Sequence, residues 1–139
     1  QTEQLCVRAA GASAEEAEVD LAGLVADAGR LETIGALSQA SLVELAKKWR
    51  CISGKWLLFV PEWRVDELFT SCAIRLRDGD FGGCIRVVVS PPGTYGMDPD
   101  KYMLSAHCQD FTDQRQVMGV GRALRTAARA GLRAPAGDW

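Results

Sequence analysis

The segment from Trp49 to Phe69 constrains the fold of this chain more than any other. It reads Trp-Arg-Cys-Ile-Ser-Gly-Lys-Trp-Leu-Leu-Phe-Val-Pro-Glu-Trp-Arg-Val-Asp-Glu-Leu-Phe. Lys55 to Val60 is apolar on both alternating faces, with Trp56, Leu58 and Val60 on one side and Leu57 and Phe59 on the other, which predicts a central strand with Trp56 in the core. Pro61 has no N–H for a ladder but fits a first helical turn, so a helix should begin near Glu62. Val65, Leu68, Phe69, Cys72 and Leu76 recur at steps of three and four, the stripe that packs a helix on a sheet. Gly79 is placed to stop that helix.

Upstream, two serine-led patterns predict helices. Ser13-Ala-Glu-Glu16 reads as a capping box for a helix ending near Gly29, and Ser41-Leu-Val-Glu44 as one for a short helix ending around Trp49. Downstream, Cys84 to Ser90 alternates like a strand, and Pro91 to Asp100 is a loop longer than ordinary hairpin connections. Tyr102 to Cys108 is a further strand. Thr112 opens a helix carrying Val117, Val120, Leu124 and Ala128 on one face and closing at Gly131, and a last edge strand is expected from Leu132. The order predicts a single α+β domain over residues 1–139, an acidic helical part (1–48) followed by an α+β core (49–139). Its sheet is mainly antiparallel with helices on one face, and a ferredoxin-like βαββαβ arrangement is the alternative.

Composition narrows the function classes. The 139 residues are 47% hydrophobic and 24% charged, a globular balance, and no apolar run approaches the roughly 18 residues of a membrane span. Nothing at Gln1 resembles a signal peptide, so the expectation is a soluble intracellular protein, cytoplasmic or nuclear, without membrane partners. Five cysteines with no Cys-x-x-Cys pair are expected to be unpaired, mostly buried thiols. The formal net charge of −2 hides a split: residues 1–46 carry eight acids against Arg8 and Arg30, whereas residues 47–139 carry fourteen bases against ten acids. Such a split marks either a basic binding surface behind an acidic extension or a solvated acidic helix.

The runs Ser53-Gly-Lys-Trp-Leu-Leu-Phe-Val-Pro61, Val65-Asp-Glu-Leu-Phe69 and Gln109-Asp-Phe-Thr-Asp113, with the helix ending in Ala-Gly-Leu132, resemble the basophilic-leukaemia-expressed protein family from about Trp49 to Leu132. The resemblance implies a fold similar to the eukaryotic messenger-RNA cap-binding initiation factor: an initiation-factor-4E-like curved, mainly antiparallel sheet backed by helices. Gly54-Lys-Trp-Leu-Leu-Phe59 also looks like that factor's Gly-Arg/Lys-Trp strand. The factor stacks a methylated guanine between two tryptophans, reads its edge with a glutamate and holds the phosphates with basic side chains. Here Trp49, Trp63 and Glu62 supply those residue types, in the local order Glu62-Trp63 where the factor has Trp-Glu.

Trp49 and Trp63 flank the strand, and Glu62, Lys47, Lys48, Arg50 and Arg64 lie beside them in sequence, so these seven residues are the ligand-binding candidates. Aromatic rings interleaved with bases suit RNA or a nucleotide; the same pattern also suits rings that pin helices to a sheet. Arg115, Arg122, Arg129 and Arg133 form a second basic stripe, read as a solvated helix face. Gly119-Val-Gly121 lacks the third glycine of a dinucleotide loop and is read as close helix packing. His107 and Cys108, adjacent in a strand, point to opposite faces and form no dyad. Asp98, Asp100, Asp110 and Asp113 have loop and capping roles. With no catalytic set, metal group or cofactor motif in view, the leading expectation is a non-enzymatic module binding RNA or a nucleotide on an open basic sheet face. A protein-interaction module is second and an enzyme third.

Overall fold

The computed structural model describes residues 4–9 and 21–130. Its elements are β1 (Leu5–Arg8), α1 (Leu21–Thr33), α2 (Gln39–Lys48), β2 (Gly54–Val60), α3 (Glu62–Arg77), β3 (Cys84–Ser90), β4 (Tyr102–Cys108) and α4 (Gln114–Arg129), with a 3-10 turn at Thr94–Gly96. The four strands form one antiparallel sheet in the order β1-β3-β4-β2. Helices α3 and α4 cover one face, and α1 and α2 pack against each other. This is the expected α+β architecture.

The core lies between the sheet and α3/α4. Val65, Leu68, Cys72 and Leu76 of α3 and Val120, Leu124 and Ala127 of α4 meet Val87, Val89, Leu104, Ala106 and Cys108 of the strands. Leu68 is fully buried and Phe69 partly so, as the stripe predicts. Gly79 adopts a positive φ of 74° just past α3, and the Asp80 and Gly79 amides donate back to Arg75 and Leu76, closing the helix. Gly119 and Gly121 serve packing. A β-carbon on Gly119 would sit 3.3 Å from the Gly82 carbonyl oxygen, and one on Gly121 would sit 2.9 Å from the Trp56 ring.

Several expectations are corrected. Among the described residues the strand bearing Trp56 is at the sheet's edge, not its centre, and Trp56 is 37% exposed rather than in the core. Two-faced apolarity misled here because one face of β2 packs on α4 while Leu57 and Phe59 occupy the other; alternation alone reports faces, not neighbouring strands. Helix α2 begins earlier than Ser41, because Ser38 is its cap and Ser41 closes the box from the third helical position. Helix α1 passes through Gly29 and ends at Thr33, with Gly35 just beyond it at a φ of 69°. Strand β1 was not anticipated from the sequence. The Ser13 box, the closing glycine Gly131, the last edge strand from Leu132 and Arg133 lie outside the described residues.

Candidate functional site

Strand alternation sends one set of side chains to the helices and the other to the opposite face. On that opposite face the register lines up Arg8 with Arg86, Arg86 with His107, and His107 with Lys55. One row across all four strands therefore carries four basic side chains. Neighbouring strands are about 4.8 Å apart, so the row spans roughly 14 Å. Like charges directly opposite each other destabilise a sheet. Two residues along, the next row is Cys6, Val88, Ser105 and Leu57; beyond it lie Ser90, Met103 and Phe59, with Gln4 Nε2 donating to Ser90 Oγ at 3.0 Å.

These rows form a cavity of about 320 Å³. Ser90, Met103 and Ser105 are its buried floor, and the described residues lining it include no Asp or Glu. Tyr95, from the long β3–β4 loop, stands at the rim with 76% of its surface exposed, and the Lys55 ammonium lies 5.9 Å from its ring centre. Its backbone is left-handed at φ 56°, between Gly93 at 79° and Gly96 at 70°. A non-glycine residue held in that region beside a cavity is the kind of strain that accompanies binding loops. The cavity thus offers cations for an anionic group and one exposed ring for a planar one.

The residues singled out from sequence take different places. Trp49 does not face this cavity: its indole N–H donates to Asp27 Oδ2 at 2.8 Å, and its ring lies against Gly23, where a β-carbon would come within 2.4 Å. Lys48 joins the same carboxylate at 2.8 Å and sits 5.1 Å from the Trp49 ring centre. Hydrogen bonds from Lys48 and Trp49 hold the Asp27 pKa below its ordinary 3.8. This cluster joins α1 to α2. Lys47 faces Glu44 at 3.8 Å, and Arg50 is exposed in the turn after α2 with φ of 58°.

Glu62 and Trp63 are exposed in the first turn of α3. The seven-residue β2 between Trp49 and Trp63 spans roughly 20 Å, so the two indoles do not form a sandwich around one base. Arg64 corrects the sequence reading most sharply, because its side chain is only 1% exposed. Its Nη2 donates to the Ala128 and Ala130 carbonyls at 2.7 and 3.1 Å, and Nη1 meets Glu67 at 2.9 Å. A cation there complements the C-terminal end of α4. Of the seven candidates, none lines the cavity.

The strand and capping readings of His107, Cys108 and the aspartates hold. His107 faces the cavity while Cys108 is buried in the core. Asp113 caps α4 by accepting from the Gln116 amide at 3.2 Å, Asp98 accepts from the Asp100 amide, and Asp110 accepts from Thr112, whose hydrogen bonds lower the Asp110 pKa. No group of three His, Cys, Asp or Glu side chains suited to a metal exists among the described residues. Arg115, Arg122 and Arg129 are exposed on α4, and no helix among the described residues is long and apolar enough to cross a membrane.

Fold and site together define an α+β domain with an unclosed antiparallel sheet, helices on one face and a basic cleft on the other. The sequence matches the family described as Basophilic leukemia-expressed protein Bles03 over residues 8–130, and the chain belongs to that family. No curated protein matches it.

Proposed function

We propose that this chain is a non-catalytic binding module whose basic sheet face holds a phosphorylated nucleoside, as a nucleotide or as the end of a single RNA strand. The row Arg8, Arg86, His107 and Lys55 carries the reading. Phosphates are bound by side-chain cations at this spacing, and an exposed ring next to them suits a base that needs a stacking surface. Tyr95 is the ring in that place. A cavity near 320 Å³ lies at the small end of ligand sites, enough for one nucleotide rather than a folded RNA. The sheet-with-helices layout is also what an initiation-factor-like relationship requires, and the proposed ligand class agrees with it. The recognition residues differ, however, because Trp49 is engaged by Asp27 and Arg64 is buried.

The test is calorimetric titration of the chain with guanosine triphosphate, its 7-methylated form and a six-nucleotide uridine RNA, alongside the variant Arg8→Ala/Lys55→Ala. Both positions are exposed, so the fold should be retained. Saturable binding that the double variant weakens at least tenfold supports the reading. Absence of binding at millimolar nucleotide and at high-micromolar RNA overturns it. Since no tryptophan pair brackets the cavity, methylated and unmethylated guanine should bind alike.

A further inference from the structure

Ser105 lies on the cavity face of β4, between β3 and β2, and is only 2% exposed. Its neighbours on that face are all longer side chains: His107 and Met103 two residues away along the strand, Val88 and Leu57 across it. The serine is therefore the bottom of a notch one side chain wide, and the notch opens into the cavity that Ser105 lines. Ser90, the other buried hydroxyl on the floor, accepts from Gln4 Nε2 at 3.0 Å, whereas Ser105 Oγ has no hydrogen-bond partner among the described residues. A buried hydroxyl left unpaired gives up its hydrogen bonds to water and gains none in return. One that opens on a cavity can be satisfied by what enters the cavity.

Its place relative to the basic row says what that is. Residues two apart on a strand are about 6.8 Å apart, so the notch lies about that far along the sheet from the row Arg8, Arg86, His107 and Lys55. The Tyr95 ring stands at the rim, 5.9 Å from the Lys55 ammonium. A nucleotide with its phosphate on the row and its base on that ring has its ribose between the two, over the floor. A notch left by one serine among longer side chains admits a single hydroxyl group but not a ring. Along an RNA strand the 3′-oxygen is taken up by the phosphodiester, while the 2′-hydroxyl stays free and can both donate and accept, as the serine hydroxyl can.

We propose that Ser105 binds the ribose 2′-hydroxyl and that the cavity thereby selects ribonucleotides over deoxyribonucleotides. The inference rests on the reading of the basic row as a phosphate site and adds the group that tells RNA from DNA there. The row itself carries no such information, because both nucleic acids present the same phosphates. Since Ser105 is already unpaired before a ligand arrives, a 2′-deoxy ligand forgoes one hydrogen bond without creating a new unpaired group. The selectivity should accordingly be that of one neutral hydrogen bond, about five- to tenfold.

The test is calorimetric titration of the full chain with guanosine triphosphate and its 2′-deoxy and 3′-deoxy forms, first unaltered and then as Ser105→Ala. The unaltered chain should bind guanosine triphosphate and the 3′-deoxy form alike, and the 2′-deoxy form about five- to tenfold more weakly. That comparison needs no variant. In Ser105→Ala, guanosine triphosphate should fall to the affinity of the 2′-deoxy form, whose own binding stays the same, and the urea midpoint should not drop, because the lost hydroxyl had no partner. Equal binding of the ribose and 2′-deoxy forms, with both weakened by Arg8→Ala/Lys55→Ala, overturns the 2′-hydroxyl assignment and leaves the phosphate site standing. A preference that survives Ser105→Ala, or one that follows the 3′-hydroxyl, overturns the assignment as well. Absence of binding by all three ligands at millimolar concentration overturns the phosphate reading itself, and the assignment falls with it.

Discussion

Replacing Arg64 with methionine separates a structural cation from a ligand-binding one. Methionine keeps much of the aliphatic stem, so the change removes chiefly the guanidinium and its hydrogen bonds to the Ala128 and Ala130 carbonyls. Hydrogen bonds to a charged group contribute roughly 1.5–3 kcal/mol each. Removing a cation that is only 1% exposed also recovers part of its desolvation cost, which argues for the lower end. The expected loss is about 3 kcal/mol. The partner Glu67 is 56% exposed, and Glu67→Ala should cost under about 1 kcal/mol because water screens that side of the pair. Urea unfolding of the two variants at one pH and salt concentration measures both values. For a domain of this size the Arg64→Met loss corresponds to a fall in Tm of roughly 10 °C. A loss under about 0.5 kcal/mol, especially with weaker RNA or nucleotide binding, would refute the assignment of Arg64 to the end of α4.

Thiol chemistry should divide the cysteines. Burial pushes Cys72 up to about 12 and Cys84 up to about 11, and raises Cys108, while Cys6 is exposed and Cys51 half-buried. Native protein treated with a thiol reagent at pH 8 should therefore modify Cys6 first and Cys51 more slowly, leaving three thiols that appear only on denaturation. The Asp27 carboxyl, held below its ordinary 3.8 by Lys48 and Trp49, contributes stability that is fully present above that value and is lost as pH falls through its lower folded pKa. The Trp49 indole N–H resonance should report this loosening below about pH 4, and Asp27→Asn should remove the transition. Gly82→Ala should destabilise by more than about 2 kcal/mol in urea unfolding, since a β-carbon there meets the Gly119 backbone at 2.4 Å with φ of 61°. Gly79→Ala, with similar φ but open space around it, should lose only about 1–2 kcal/mol.

The two long helices and three of the strands were legible because their residues obey local periods: Val65, Leu68, Cys72 and Leu76 repeat at helical spacing and Ile85 to Val89 at strand spacing. Neighbour relations were not, since they depend on pairing between distant segments. Thus β2 looked central from its own alternation, and four-residue β1 carried too little pattern to stand out among alanines and glycines. The same limit hid the cavity. Lys55, Arg86 and His107 each occupy an outward position in a strand that the sequence does predict, but only register aligns them, and only β1 adds Arg8. Closeness in sequence to tryptophan instead gathers Lys48 and Arg64, which are close in the chain but do not share a surface. The loop's length did flag the segment that delivers Tyr95. Its left-handed backbone there was not legible, because tyrosine rarely adopts that conformation.

The salt dependence of RNA binding tests the central claim most directly. Each side-chain cation that neutralises a single-strand phosphate contributes roughly −0.7 to the slope of log K against log salt. With Arg8, Lys55 and Arg86, joined by His107 when protonated, the slope for a six-nucleotide RNA should lie between about −2 and −3. Arg8→Ala/Lys55→Ala should make it shallower by about 1.4, while Lys47→Ala/Arg50→Ala, away from the cavity, should leave it unchanged. A slope that stays the same without Arg8 and Lys55, or that shifts instead with Lys47 and Arg50, would contradict the assignment of phosphate binding to the basic row.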